Sequence, residues 1–396
     1  MLRFLVRLML VAALCGPAHA QQPKLPASFA PLLVSLWPDA QARGISRATF
    51  DLAFAGLAPD PRVAALTARQ LEYGVPVATY LARIASPPRI EGAARKARDW
   101  KPTLDAVEKQ YGVDRWIILA LWGIETSFGA NNGGFDVIRS LATLVAVGYR
   151  ADYFRGELIA ALQVLQQGHI AREKMIGSWA GAMGQPQFMP SNFLTLAVDF
   201  DRDGRKDIWA SAPDVLASIA NFLKAWGWKA GAEWGCEVTL PQGFDYRRSR
   251  ASYGAWTALG LKRADGKPMP DDGNAILFFP SGANGPALLV AENFEVIKRY
   301  NNSDVFALAA TQIAERAQRR AGVRAAWPAN DQQLSRAERV ALQKRMKELD
   351  HPVNDFEGRI DFDLRDEIRI EQGKHGLVPD GHPTRELLEK IGATLK

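Results

Sequence analysis

The sequence predicts a mainly α-helical protein with a small β-containing insertion and a helical tail. Three observations carry that expectation. From residue 28 to 125, apolar residues recur at three- and four-residue spacing, with Pro and Gly at segment ends (Pro87-Pro88, Lys101-Pro102, Tyr111-Gly112), which is the pattern of short helices closed by chain breakers. Between residues 234 and 292 the pattern becomes short β-like runs, 236–240, 275–279 and 287–290, separated by Gly, Pro and Asp. At 325–331 turn residues appear without periodicity, which marks a boundary.

The other elements follow from the same rules. The apolar spacing predicts a helix over 141–167. It predicts another over 214–226, with Asp214 near its start and Gly227 at its end. Helices return at 293–300 and 303–320, and the tail reads as three helices over 335–349, 364–375 and 384–395. A length of 396 residues, 47% hydrophobic and 23% charged, fits two globular domains. The boundary places them at 21–328 and 329–396. There is no internal repeat.

The first twenty residues form a leader. Arg3 and Arg7 precede an apolar run from Leu8 to Leu14, and Ala18-His19-Ala20 fits a small-x-small cleavage site. The run is too short to span a bilayer as a mature helix. Leu14 is too bulky to precede a lipidated Cys15, so the expected product is a soluble periplasmic protein with residues 1–20 removed. Losing Arg3 and Arg7 lowers the net charge from +6 to +4. Cys236 is then the only cysteine, so no intrachain disulfide is expected. The last 67 residues carry 12 Lys or Arg and 14 Asp or Glu, a balance of −2, which leaves +6 on the larger domain. That charge suits an anionic partner, and export argues against nucleic acid. No later segment has eighteen apolar residues in a row.

One carboxylate stands out. Trp116 to Trp122 has no charged side chain, and the run ends in Trp122-Gly-Ile-Glu-Thr-Ser-Phe-Gly129. A buried charge needs a partner. Either Glu125 pairs with an arginine such as Arg139 or Arg150, or an apolar pocket raises its pKa for use as a general acid. The glycines around it would let a substrate approach the backbone, and Thr126 and Ser127 would orient the carboxylate.

The stretch from Gly177 to Asn192, GSWAGAMGQPQFMPSN, mixes small residues, amides, hydroxyls and Met with no amphipathic period. It suits either a groove floor, with Ser178 and Gln187 bonding hydroxyl or N-acetyl groups, or a tightly packed interhelical turn. Asp199-x-Asp201-x-Asp203-Gly204-x-x-Asp207 has the alternating carboxylates of a calcium loop. Its twelfth position is Ala210 instead of Glu, so one ligand is missing. A structural calcium and a solvated acidic turn both remain open. No histidine has metal-ligand spacing, and no cofactor is expected for catalysis.

These motifs, with Tyr149-Arg-Ala-Asp-Tyr-Phe154 and Lys298-Arg-Tyr-Asn-Asn-Ser303, occur in one order. Together they resemble the lytic murein transglycosylases of the membrane-bound lytic transglycosylase B family, over about residues 28 to 322. The resemblance implies a lysozyme-like helical fold. It implies cleavage of the bond between N-acetylmuramic acid (MurNAc) and N-acetylglucosamine (GlcNAc) in peptidoglycan, leaving a 1,6-anhydro ring. An ordinary glycosidase needs two carboxylates. In this family the sugar supplies the nucleophiles, so Glu125 alone would act as acid and then base. The resemblance also implies substrate contacts for Ser178, Gln187, Tyr300 and Asn301, and for Arg150 toward the lactyl-peptide arm. Two departures stand out. Tyr149 replaces the first of two adjacent arginines, and Ala220-Asn-Phe-Leu223 lacks the hydroxyl of the usual Ala-Asn-Tyr-Phe.

The tail motifs Leu334-Ser-Arg-Ala-Glu-Arg-Val-Ala-Leu-Gln and Lys374-His-Gly-Leu-Val-Pro-Asp-Gly are similar to a three-helix peptidoglycan-binding domain. An oligomerisation or interdomain module is the alternative. For the whole chain, a hydrolytic muramidase and a non-catalytic wall-binding scaffold are the competing functions. The first needs a second carboxylate that the sequence around Glu125 does not offer; the second would have lost Glu125.

Overall fold

The computed structural model describes residues 25–67 and 74–395. The leader expected at 1–20 lies outside the described residues. The N-terminal part is helical as expected, running through Ala30–Ala42, Arg47–Phe54, Pro61–Leu66, Val77–Ile84, Pro87–Asp99, Lys101–Tyr111 and Arg115–Thr126.

Arg115–Thr126 is the central helix. Every residue from Ile117 to Gly123 is buried, as expected for a helix that is apolar all round. It packs against Pro87–Asp99, Lys101–Tyr111, Ala212–Ala225 and Asp304–Ala317. Their side chains form one apolar core from Phe29 to Ala317, joined by Phe362 of the tail.

The single helix expected over 141–167 is two. Val137–Ala146 ends before Gly148 (φ +74°), and Ala151–Gln166 begins after Arg150 (φ +45°). Two left-handed residues within three positions break the i to i−4 ladder, although the apolar spacing runs on. The helix expected at 214–226 starts earlier, at Ala212, because the Ser211 hydroxyl caps it by accepting from the Asp214 amide.

The insertion is a five-stranded antiparallel sheet. From one edge its strands are Arg250–Ser252, Asn274–Phe278, Ala287–Val290, Gly235–Thr239 and Lys262–Arg263. The two edge strands, short and charged, carry no apolar run and were not expected. In the centre, Leu289 pairs with Cys236 on one side and Leu277 on the other. These three face a small core with Tyr253 and Trp256. Their neighbours Phe278, Leu288 and Val290 point the other way, into the helical core. Period-two alternation thus gives the sheet two buried faces.

The tail helices are Arg336–Glu348, opened by a Ser335–Glu338 capping box, Phe362–Lys374 and Arg385–Lys390. Leu342, Met346, Ile368 and Leu387 centre their own core. The third helix stops at Lys390, five residues short of expectation. No helix among the described residues is long and apolar enough to cross a membrane.

Candidate active site

Glu125 sits half-buried in the last turn of the central helix. The helix stops one residue later because the chain turns left-handed three times, at Ser127 (φ +51°), Phe128 (φ +62°) and Gly129 (φ +83°). The Ser127 and Phe128 amides donate back to the Gly123 and Trp122 carbonyls at 3.1 and 3.3 Å, the closing pattern of a helix C-terminus. Two of the three residues are not glycine, an uncommon backbone that neighbouring packing must hold.

That packing corrects one expectation. The Phe128 ring folds back over the helix, edge-on to Trp122 at 5.6 Å. It fills the space beside Gly92 and Gly123, where an added Cβ would lie 2.4 and 2.7 Å from ring carbons. Gly129 is likewise closed by Gln185, 2.4 Å from an added Cβ. These glycines admit side chains of the protein instead of a substrate. Thr126 is also committed elsewhere: its hydroxyl donates to the Gln185 carbonyl (2.8 Å) and accepts from the Gly129 amide (3.1 Å). Arg139 turns to the Ala58 and Pro59 carbonyls and toward Asp60.

Gln185 has no counterpart in the sequence reading. Its Oε1 accepts from the Trp122 indole N–H at 2.8 Å, and its Nε2 donates to the Trp209 carbonyl at 2.9 Å. It fixes the 177–188 loop to the end of the glutamate helix. The loop folds as a tight double turn with bridges Gly177 to Met183 and Met183 to Phe188. Its glycines face inward: an added Cβ would meet the Ala182 carbonyl at 2.1 Å from Gly177, Leu141 at 2.4 Å from Gly181 and Ile208 at 2.7 Å from Gly184. Of the two possibilities for this stretch, the packed turn accounts for its glycines.

Ser178 and Gln187 brace the same loop. The Ser178 hydroxyl accepts from the Ala182 amide at 3.0 Å and keeps its own proton to donate. Gln187, left-handed at φ +52°, donates Nε2 to the Gly184 and Asn132 carbonyls. Beside it, Asn132 Oδ1 is a buried acceptor without a hydrogen-bond donor among the described residues. Glu157, which is buried, receives the Ser191 amide and hydroxyl at 2.9 and 2.7 Å, and so caps Pro190–Leu196.

Tyr300 closes the site from another element. Its hydroxyl donates to the Pro186 carbonyl at 2.8 Å, and its ring packs on Phe222 at 4.7 Å. Burial, then the negative charge of Glu125, holds the phenol well above its ordinary pKa. Phe222 stands where the family's hydroxyl was missed, so that position supplies packing for Tyr300. Asn301 is exposed and lines a cavity of about 610 Å³ toward the tail. Arg150 is exposed, with its guanidinium over the Tyr153 ring at 4.7 Å. Tyr149 contacts Trp179 of the loop at 6.4 Å.

In the acidic loop, Asp199, Asp201 and Asp203 bring carboxylate oxygens within 4.8 Å of one another. This fits a hard cation in charge and donor type. Asp207 does not join them. Its Oδ1 accepts from the Trp209 and Ala210 amides at 3.0 and 2.8 Å. The anchor of the loop is the fully buried Asp214, which accepts from the Phe200 and Asp207 amides, both at 2.7 Å.

Residues 28–315 match the family described as the transglycosylase SLT domain. The membrane-bound lytic murein transglycosylase B of Escherichia coli (strain K12) is 32% identical over 247 residues, covering 60% of this chain and 66%, just under two thirds, of that protein. Among solved structures, SltB3 from Pseudomonas aeruginosa is 41% identical across 92% of this chain and 99% of its own. Its TM-score is 0.85 for the complex with NAG-NAM-pentapeptide and 0.84 for that with NAG-anhNAM-pentapeptide. The Escherichia coli lytic transglycosylase Slt35 in complex with calcium is 27% identical over 76% of this chain and 97% of its own, with a TM-score of 0.64. With nearly three quarters of its length matched, the chain belongs to the transglycosylase SLT domain family, the lytic murein transglycosylases.

Proposed function

We propose that the protein cleaves the MurNAc–GlcNAc β-1,4 bond of peptidoglycan without water, with Glu125 as the single acid and base. The observation that carries the reading is a glutamate at the end of a helix buried from Ile117 to Gly123, with the Tyr300 phenol under its charge. The complexes of SltB3 with NAG-NAM- and NAG-anhNAM-pentapeptide support it, since they pair a substrate-like with an anhydro ligand.

In this mechanism protonated Glu125 gives its proton to the glycosidic oxygen as the C1–O bond breaks, releasing GlcNAc with a free 4-hydroxyl. The MurNAc acetamido oxygen stabilises the positive C1. Carboxylate Glu125 then takes the proton of the MurNAc 6-hydroxyl as its oxygen bonds to C1. The anhydro ring closes and Glu125 is again protonated. The apolar surroundings of the helix end keep water from competing with the 6-hydroxyl. Gln187 and the Ser178 hydroxyl hold the sugar next to the scissile bond, with Tyr300 packed behind the loop; Asn301 faces the cavity toward the tail instead. Arg150 meets the anionic arm. Glu157, committed to Ser191, is not available to activate a water.

The same reading assigns residues 21–328 as the catalytic domain and 329–396 as a peptidoglycan-binding domain in a periplasmic protein. Asp199, Asp201 and Asp203 would hold a structural calcium. The test is digestion of purified peptidoglycan by wild type and Glu125→Gln, with products read by mass spectrometry. Anhydromuramyl ends with wild type alone support the reading. Reducing muramyl ends indicate a hydrolase, and binding without cleavage by either protein indicates a scaffold.

A further inference from the structure

We propose that the C-terminal unit is a positioning element for the Glu125 site, acting through Arg365 on the 298–304 turn that carries Tyr300. The proposal rests on Glu125 being the acid. A wall-binding tail on its own needs only a linker, because a tether works by raising local substrate concentration. This tail is joined to the larger unit by buried charge.

Arg365, on Phe362–Lys374, pairs with Asp304 at 3.0 Å, with side chains only 7% and 11% exposed. The other Asp304 oxygen is 2.9 Å from the Lys298 ammonium, which also reaches Glu295 at 3.1 Å. Lys298 lies over the ring of Phe362, 4.4 Å from its centroid, and that ring packs edge-on to Phe278 at 5.3 Å inside the large core. Burial works against a charged Asp304, yet Lys298 and Arg365 keep its carboxyl below the ordinary carboxylate range. Without Arg365 the buried cluster keeps one cation, Lys298, against two carboxylates, Asp304 and Glu295; an unbalanced buried charge is costly, so undocking the tail would shift Asp304 and Lys298.

What they would move is the site. Lys298 and Asp304 are the two ends of the Lys-Arg-Tyr-Asn-Asn-Ser-Asp turn. Inside it, the Asn301 and Asn302 amides bond the Lys298 carbonyl at 3.2 and 2.6 Å. Tyr300, in the middle, donates to Pro186. The residue before Pro186, Gln185, holds Trp122 and Thr126 on either side of Glu125 in sequence. Arg365 therefore connects to the catalytic helix through an unbroken series of contacts. The 610 Å³ cavity lined by Asn301, Arg339 and Arg359 opens beside the same turn.

The test uses the full chain with Arg365→Ala and Arg365→Lys. Arg250→Ala is the control, because Arg250 joins the tail to the sheet through Asp363 (2.5 Å) and Asp366 (2.8 Å) without touching the turn. The substrate is a soluble GlcNAc–MurNAc tetrasaccharide, which removes any benefit of tethering. Arg365→Ala is expected to speed amide exchange at Asn301 and Asn302. It should lower kcat on the order of tenfold or more, with KM within about twofold. Arg365→Lys should recover part of the loss, and Arg250→Ala should match wild type. If R365A does not fold, D304N interrupts the same link from the other side. Wild-type exchange and kcat in a folded R365A overturn the proposal. So does an equal loss in R250A, which would make docking in general the cause. A wild type that makes no anhydromuramyl product overturns instead the role of Glu125; amide exchange then decides the bracing alone.

Discussion

The Gln185 amide oxygen accepts the Trp122 indole N–H at 2.8 Å, three residues before Glu125. Both groups are buried. The same glutamine reaches Trp209 with its other end and takes the Thr126 hydroxyl on its carbonyl. Gln185→Leu keeps the volume and removes both side-chain bonds. An unsatisfied buried donor costs about 1–3 kcal/mol, so thermal unfolding should shift down by several degrees. Activity should fall by on the order of tenfold, because the loop and helix would no longer be held in register. A variant that melts early but turns over at the wild-type rate would show that Gln185 only stabilises.

Phe128 and Gly123 form a second coupled pair. An added methyl at Gly123 would sit 2.7 Å from the ring, and overpacking of this kind costs about 1–3 kcal/mol. Gly123→Ala should therefore destabilise the protein, and Phe128→Ala should do so for the opposite reason, by leaving a void. The double variant should lose less than the sum, with a coupling of about 0.5–3 kcal/mol in a denaturation cycle. Strict additivity would mean that the ring does not need this slot.

The helical class, the sheet insertion and the three tail helices were legible because burial writes a period into the sequence. Leu277, Leu289 and Cys236 alternate with inward neighbours, and Ser335–Glu338 announces a helix start. The break at 148–150 was not legible, since its cause is two backbone angles within a continuous apolar pattern. Glu125 was marked by its own incongruity, a charge closing an apolar run. Gln185 was hidden for the converse reason. It lies among other amides, and nothing local to it says that Trp122, 63 residues away, is its partner. The glycines of the site stand out in the sequence, but nothing local to them distinguishes a slot filled by Phe128 from one filled by a sugar.

Cys236 provides a pH-dependent prediction. Burial pushes its thiol from 9.0 up to about 12, although Arg263 nearby favours the thiolate. Prepared without residues 1–20, and so without Cys15, the folded protein should be inert to a disulfide reagent at pH 8 and react once when unfolded in denaturant. The folded pKa lies above the unfolded one. The buried thiol's contribution to stability is therefore fully present below pH 9 and is lost as pH rises toward about 12. Cys236→Ala should flatten that part of the stability profile. Rapid labelling of the native protein would contradict the buried position.

The acidic loop separates its carboxylates by role. Asp199, Asp201 and Asp203 converge, while Asp207 caps the turn that follows. Like charges held this close repel, and a bound cation would remove that cost. Calcium in hundredfold excess over its Kd should raise unfolding free energy by about 2.7 kcal/mol, and a chelator should reverse the gain. Asp201→Asn should weaken the calcium-dependent shift. Asp207→Asn should leave the shift intact even where it lowers the starting midpoint, because the lost interaction is with the Trp209 and Ala210 amides. Catalysis on a soluble fragment should survive the chelator at a temperature well below the midpoint, since no catalytic step passes through the loop. Loss of the shift in both variants would place Asp207 among the ligands after all. Loss of activity on chelation in a still-folded protein would give the cation a part in the chemistry.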